Sequence, residues 1–164
     1  MADDELGTKV RRLEAGTATP AEGETLMPTD VQSGYAPVNG LQMYYEVHGA
    51  GGVPLLVLHG AFGNTGLFGG EVVPALAETR TVIVMDQQAH GRTADIDRPL
   101  SVVQMADDTA ALLEYLGLAQ VDVFGYSMGG GIAFRLAVER PELVRKLVVA
   151  AVYTSGAGAY PEVV

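Results

Sequence analysis

The sequence contains no cysteine and no tryptophan, and it has only 10 lysines and arginines against 20 aspartates and glutamates. Without cysteine the chain forms no disulfide, no thiolate metal site and no cysteine nucleophile. A formal net charge of -10 leaves few cations for phosphates, which argues against a nucleic-acid partner and against docking on an anionic membrane. The chain also lacks an apolar run as long as a membrane span and an apolar signal-peptide core at its start. These absences predict a cytoplasmic protein.

The chain divides into two parts of different composition. Residues 1–33 are rich in aspartate, glutamate, threonine, glycine and alanine and show no sustained apolar period, which predicts a disordered or mobile N-terminal tail. The chain as a whole is 48% hydrophobic and 18% charged, as in ordinary globular domains. Residues 34–164 are therefore expected to fold as one core domain.

Several segments have the pattern of β-strands. Residues 35–38 and 41–47 are joined by Asn39 and Gly40, which predicts a hairpin because both residue types tolerate positive φ. Later apolar runs lack clean alternation, as in strands covered on both faces, and they lie at residues 54–58, 81–85, 121–124 and 147–152.

Helical patterns alternate with these strands. Ser101 and Gln104 form a capping box that opens a helix, and Gly117 ends it. A second helix is predicted over residues 128–139, and a weaker pattern covers residues 67–78. Alternating strands and helices predict an α/β fold, with a mostly parallel, doubly wound sheet of about six strands and flanking helices.

One stretch carries a catalytic pattern. Residues Gly125-Tyr126-Ser127-Met128-Gly129 match G-x-S-x-G between a predicted strand and a predicted helix. A sharp turn there lifts the serine hydroxyl above the sheet, and Gly125 and Gly129 leave room for it. The helix N-terminus beside the hydroxyl favours developing negative charge, so Ser127 is the candidate nucleophile. The alternative interpretation is a glycine-rich turn with an incidental serine.

Together with three other stretches, this motif resembles the α/β-hydrolase superfamily. Residues 57–62 are similar to the strand and His-Gly turn of that family. Residues 86–93 resemble its D-x-x-G-x-G-x-S loop, with Ala89 where glycine is usual, and residues 140–149 resemble the approach to its sixth core strand. The resemblance spans residues 35–152 and implies a truncated α/β-hydrolase core that lacks the last strands of the full fold.

The resemblance also implies a serine hydrolase site. The backbone N–H groups of Ala61 and Met128 are the expected oxyanion hole, and His59 and Gly60 are expected to shape the turn structurally. Ser127 would hydrolyse a small carboxylic ester through an acyl-enzyme. A serine at this position counts against haloalkane dehalogenase and epoxide hydrolase chemistry, for which relatives carry an aspartate. Lactone, C–C bond and perhydrolase variants stay open, and no metal or organic cofactor is implied.

The catalytic triad is incomplete in this sequence. A serine hydroxyl needs a base, and in this fold an acid and then a histidine follow the serine along the chain. No histidine follows Ser127, and Glu162 is the only remote candidate for the acid. Asp86 is expected to organise its loop. The three histidines precede the serine and are expected to be structural: His48, His59 and His90.

We therefore expect an esterase-like serine hydrolase with weak or absent turnover from this chain alone. One alternative is a non-catalytic truncated fragment that acts as an assembly or binding module. Another is half of a split enzyme, with aspartate and histidine supplied by another chain. The predicted strand at residues 147–152 would leave an apolar edge, where a second copy or a partner chain could pair.

Overall fold

The computed structural model describes residues 31–152, which form one sheet with helices packed against it. The strands are β1 (Gln32–Val38), β2 (Leu41–His48), β3 (Leu55–Leu58), β4 (Val82–Met85), β5 (Val121–Tyr126) and β6 (Val144–Ala150). The helices are α1 (Val72–Ala77), α2 (Val102–Tyr115) and α3 (Met128–Glu139), with short 3-10 turns at Thr65–Leu67 and Pro141–Leu143.

The sheet is mostly parallel and follows the order β1-β2-β4-β3-β5-β6. The β1–β2 and β2–β4 pairs are antiparallel, whereas β4–β3, β3–β5 and β5–β6 are parallel. Parallel neighbours need long crossover connections, and the intervening helices supply them. The predicted α/β fold with about six strands is confirmed.

Two boundaries differ from the sequence prediction. Strand β1 begins at Gln32, inside the stretch predicted as a tail, because Gln32 pairs with Val47 on β2; residues 1–30 of that stretch lie outside the described residues. The weak helix predicted at residues 67–78 is shorter and begins at Val72. Pro74 lies in its first turn, where a missing N–H costs no helical hydrogen bond.

The sheet buries both of its faces, and strand β3 shows this within three residues. Leu56 and Leu58 belong to a large apolar cluster shared with α2 and α3. Val57 points the other way, into a smaller cluster that contains Val73 and Ala77 of α1. Because successive side chains of a strand alternate between faces, an unbroken apolar run is what a strand covered on both sides requires.

Helix α2 begins and ends where the sequence predicts. The Ser101 hydroxyl accepts a hydrogen bond from the Gln104 N–H at 3.1 Å, whereas the Gln104 side chain donates to Asp108 and leaves the capping box half formed. Gly117 adopts a φ of 70°, and the N–H of Leu118 reaches back to the helix at Leu113. Among residues 31–152, no helix has both the length and the apolar character needed to cross a bilayer.

Strand β6 lies at one edge of the described sheet. It begins at Val144 and ends at Ala150, two residues before the predicted end. Val148 is 56% exposed and Val149 is 38% exposed, one on each face of the strand. Within residues 31–152, the far edge of this strand is an unpaired apolar edge, as the sequence predicts.

Candidate active site

Ser127 occupies a sharp turn between β5 and α3. Its φ of 53° and ψ of -119° lie in a region that non-glycine residues rarely enter. Its N–H donates to the carbonyl of Ala150 on β6 at 2.9 Å, and its carbonyl accepts from the N–H of Gly131 in α3 at 3.0 Å. The backbone is thus tied on one side to the sheet and on the other to the helix, which is the turn that the motif predicts.

The two flanking glycines are required by close packing of the backbone. A Cβ atom on Gly125 would lie 2.2 Å from the carbonyl oxygen of Gly129. A Cβ atom on Gly129 would lie 2.4 Å from the carbonyl oxygen of Leu58. Both distances are far inside van der Waals contact with backbone atoms that no side-chain rotation can move, so only glycine fits at either position.

The His-Gly turn after β3 lies directly beside the serine. A Cβ atom on Gly60 would lie 3.3 Å from the Cβ atom of Ser127 and 3.1 Å from the ring of Tyr126. The N–H of Gly63 donates to the Gly60 carbonyl at 3.0 Å and closes a tight turn with Ala61 at its first corner. The structure therefore brings the His-Gly turn and the serine turn together.

The two N–H groups predicted to form an oxyanion hole belong to these two segments. Ala61 lies on the exposed side of the His-Gly turn, and Met128 is the first residue of α3, where helical N–H groups have no partner within the helix. The segments meet at Ser127. Donation by Ala61 and Met128 to a substrate oxygen stays a prediction.

His59 is a neutral, structural histidine. Its ring is buried, and Nε2 accepts a hydrogen bond from the N–H of Gln87 at 3.1 Å. Nδ1 therefore carries the proton, which it donates to the carbonyl of Gly60 at 2.8 Å. Burial lowers the pKa of His59 below its ordinary value, in keeping with the neutral form. With both nitrogens engaged, this ring shapes the turn and is not free to take a proton from Ser127.

Asp86 organises the loop that follows β4. Its Oδ1 accepts from the N–H of Thr65 at 2.6 Å, and its Oδ2 accepts from the N–H of Arg92 at 2.8 Å. A Cβ atom on Gly91, which has a φ of 53°, would lie 2.2 Å from the same Oδ2. The carboxylate is buried and its oxygens are occupied by backbone donors, so Asp86 is unsuited to be the acid of a triad.

Consecutive residues at the end of β4 hold both ends of the His-Gly loop. Gln87 holds His59 at the start of this loop, and Asp86 holds Thr65 at its end. The sequence motifs pointed to Asp86 and His59 but not to Gln87 and Thr65, which act through backbone N–H groups and leave no signal in the residue type. Ala89, which replaces the usual glycine, has a φ of 62°, which explains why glycine is favoured there.

The other predicted structural histidines have partners of their own. Nε2 of His48 lies 2.9 Å from a carboxylate oxygen of Glu46, and Nδ1 of His90 donates to the carbonyl of Gln88 at 2.8 Å. Within residues 31–152, no histidine forms a hydrogen bond with Ser127, and Glu162 lies outside the described residues. The described residues therefore place the candidate nucleophile beside the His-Gly turn, and within them no histidine is hydrogen-bonded to it.

A second buried carboxylate lies at the opposite end of β5 from the serine. Asp122 accepts hydrogen bonds from Arg145 at 2.7 Å and from Arg80 at 2.8 Å. Arg145 foremost, and then Arg80, hold the pKa of this carboxyl well below its usual value although the group is buried. This cluster joins β6 and the segment before β4 to β5, away from Ser127, and no motif in the sequence pointed to it.

The chain is similar in sequence to known hydrolases. The sequence profile of a family described as "alpha/beta hydrolase fold" matches residues 53–158. A putative carbamate hydrolase, RutD, from Azorhizobium caulinodans is 36% identical over 115 residues, which cover 70% of this chain and 43% of that protein. A soluble epoxide hydrolase from a Corynebacterium species is 35% identical over 126 residues, 75% of this chain and 42% of that protein.

A solved structure shares the same architecture. The epoxide hydrolase CorEH superimposes with a TM-score of 0.72 and 32% identity, over 80% of this chain and 46% of that one. The chain thus spans less than half the length of the relatives that it matches.

Proposed function

Because the chain belongs to the alpha/beta hydrolase fold family, we propose that it carries the nucleophile and the oxyanion-binding half of a serine hydrolase site. Ser127 is the nucleophile, and the N–H groups of Ala61 and Met128 bind the oxyanion. The reaction is the hydrolysis of a small carboxylic ester through an acyl-enzyme, without a metal or an organic cofactor.

The observation that carries this proposal is the conformation of Ser127. Its backbone is held at a φ of 53°, beside Gly60 and at the start of α3. A strained serine at the N-terminus of a helix is costly to fold, and such strain concentrates at functional sites. The helix N-terminus and the N–H groups of the adjacent turn favour the negative charge that develops when an alcohol attacks a carbonyl.

The identity of the nucleophile favours one of the reactions for which the relatives are named. A serine alkoxide attacks the carbonyl carbon of an ester, the C–O bond to the substrate alcohol breaks and the alcohol leaves, and water then hydrolyses the acyl-enzyme to a carboxylic acid and free serine. One relative is named a carbamate hydrolase, and a carbamate contains such a carbonyl. The other relative is named an epoxide hydrolase. The family resemblance implies that epoxide opening uses an aspartate at the position of Ser127. Ser127 therefore favours carbonyl substrates.

The proposed site lacks a general base for Ser127 in this chain. All three histidines of the sequence precede Ser127, and neither ring nitrogen of His59 is free. We expect the chain alone to have weak turnover, because oxyanion binding without a base retains only a small part of the rate enhancement. In this proposal the acid and the histidine come from a longer form of the protein or from another chain. The proposed location of the protein is the cytoplasm.

A fluorophosphonate probe, which labels activated serines, tests the proposal. The chain should be labelled at Ser127, more slowly than a complete hydrolase because the base is missing, and Ser127→Ala should abolish labelling. Ser101→Ala is the matched control, because Ser101 also precedes a helix but has an ordinary φ of -149°. Labelling that persists in Ser127→Ala, or that is absent from the unchanged chain, would contradict an activated serine. Turnover of 4-nitrophenyl acetate at the rate of a complete hydrolase would contradict the missing base.

A second function is favoured by strand β6. Its exposed Val148 and Val149 lie on a strand at the edge of the described sheet, and apolar edges recruit further strands. A non-catalytic assembly module, or half of a split enzyme, would bind through this edge. Size-exclusion chromatography of the chain, with and without the polypeptide that follows β6 in a complete relative, measures such binding, and absence of any complex would contradict it.

A further inference from the structure

An open groove of about 350 Å³ lies on the face of the sheet that carries α1. Phe124 of β5 and Val148 of β6 line the sheet side of this groove. Val72 and Leu76, which lie one helical turn apart on α1, line its other side. A groove of this size that is lined by aliphatic and aromatic side chains is typical of sites for small organic molecules.

The groove is charged at one end only. Lys146, Asp122 and Arg80 line this end. In the sheet Asp122 is paired with Lys146, whereas Phe124 is paired with Val148 two residues further along both strands. Because a strand rises by about 3.3 Å per residue, the charged end and the apolar end are separated by about 7 Å. The groove therefore offers a polar contact and an apolar contact to one elongated molecule.

The charged end has an excess of positive charge, although the chain as a whole has a net charge of -10. The carboxylate of Asp122 is shared by Arg80 at 2.8 Å and Arg145 at 2.7 Å. Arg80 donates through Nε and Nη2, to Val53 and Asp122, and its Nη1 has no acceptor among the described residues. Lys146 is exposed and has no ion-pair partner in the same part of the chain. Three cations around one carboxylate leave two positive charges unbalanced.

We propose that this groove binds a monocarboxylate with an unbranched aliphatic chain, such as a medium-chain fatty acid anion. The carboxylate pairs with Lys146 and accepts a hydrogen bond from Nη1 of Arg80, and the chain lies along Phe124 and Val148. The apolar lining favours the aliphatic chain, and the unbalanced cations favour a negative head group. The site does not include Ser127, so it goes beyond the proposed hydrolase function and does not depend on it.

NMR titrations of the chain test this ligand class. Butyrate, hexanoate and octanoate differ only in chain length, and we expect each added methylene to tighten binding by about threefold. The compounds 1-octanol and octylammonium carry the same chain with a neutral or a positive head group, and octanoate should bind about tenfold more tightly than either. Intermolecular NOEs should join the terminal methyl group of octanoate to Phe124 and Val148, and the methylene beside its carboxylate to Lys146.

Matched variants locate the site. Lys146→Met should weaken octanoate binding about tenfold without changing the affinity for 1-octanol. Arg140→Met removes a cation outside this groove and should leave octanoate binding unchanged. Val148→Ser should reduce the dependence on chain length, whereas Val149→Ser, on the other face of the same strand, should preserve it. Ser127→Ala should bind octanoate as the unchanged chain does.

Several results would overturn the inference. They are an absence of octanoate binding, equal affinity for octanoate, 1-octanol and octylammonium, and an affinity that neither Lys146→Met nor Val148→Ser alters. A dimer that dissociates on addition of octanoate, measured by analytical ultracentrifugation, would show that a second copy occupies the groove and would also overturn it. Failure of Ser127 to react with the fluorophosphonate, with octanoate binding retained, would contradict the hydrolase proposal alone.

Discussion

Two buried carboxylates lie at opposite ends of the parallel strands, and they are neutralised in different ways. Asp86, at the carboxyl end of β4, accepts hydrogen bonds from the backbone N–H groups of Thr65 and Arg92. Asp122, near the start of β5, accepts them from the side chains of Arg145 and Arg80. The site end of the sheet thus uses backbone donors, whereas the far end uses charged side chains.

This contrast indicates a different role for each end of the sheet. A backbone N–H cannot move toward a carboxylate without moving the chain, so Asp86 dictates the path of the His-Gly loop. An arginine side chain adapts its torsions, so Asp122 fastens neighbouring segments together without shaping them. We expect damage at the site end to alter reactivity and damage at the far end to alter stability alone.

The largest expected effect comes from adding one methyl group at the site end. Gly129→Ala places a Cβ atom 2.4 Å from the carbonyl oxygen of Leu58, and we expect a loss of about 3 kcal/mol in the free energy of unfolding together with loss of probe labelling. Gly131→Ala is the control, because its Cβ would meet only the Val102 side chain at 3.6 Å. This helical position should gain about 0.5 kcal/mol. Urea unfolding measures both, and equal effects would contradict the packing at Gly129.

An intermediate effect comes from neutralising each carboxylate. Asp86→Asn weakens two charge-assisted hydrogen bonds and Asp122→Asn weakens three, and each variant should lose about 2 kcal/mol in the free energy of unfolding. Only Asp86→Asn should also slow fluorophosphonate labelling of Ser127, because only Asp86 holds the His-Gly loop. Labelling rates measured under folding conditions decide this. Equal slowing of labelling in both variants would contradict the expected difference between the two ends of the sheet.

The smallest effect is expected in the pH dependence of the free energy of unfolding. The two ends of the sheet should lose stability over different pH ranges. Burial lowers the pKa of His59, so the unfolded chain binds its proton more readily and stability falls as the pH drops below about 6.5. Arg145 and Arg80 lower the pKa of Asp122, so its contribution is intact above the usual value of 3.8 and is lost at lower pH. Denaturant unfolding from pH 8 to pH 3 should show both declines. His59→Gln should remove the first, and Asp122→Asn should remove the second.

The fold was predictable because its signals are local. The hairpin at Asn39 and Gly40, the cap at Ser101 and the helix end at Gly117 each depend on one residue type in one conformation. The unbroken apolar runs then predicted strands covered on both faces. The predicted start of β1 was wrong. Gln32 joins the strand because it pairs with Val47, and local composition does not reveal such pairing.

The site was predictable only in part. The serine turn and the His-Gly turn can be recognised from their residue types, since a Cβ atom on Gly125 or Gly129 would clash with the backbone and one on Gly60 would crowd Tyr126 and Ser127. The contacts made by the N–H groups of Thr65 and Gln87 have no such signature, because every residue except proline has an N–H. The strain at Phe62 was equally hidden, since a positive φ at a phenylalanine depends on how the surrounding loop is held.

The hydrogen bond from the Ser127 N–H to the carbonyl of Ala150 links the reacting residue to the outermost strand of the described sheet. Edge strands exchange their amide hydrogens and fray more readily than central ones, since one side has no neighbour. The backbone of Ser127 is therefore tied to a strand that has only one neighbour in the described sheet. Any polypeptide that adds a strand beyond β6 would damp this motion, so completing the sheet and steadying the nucleophile would be a single event.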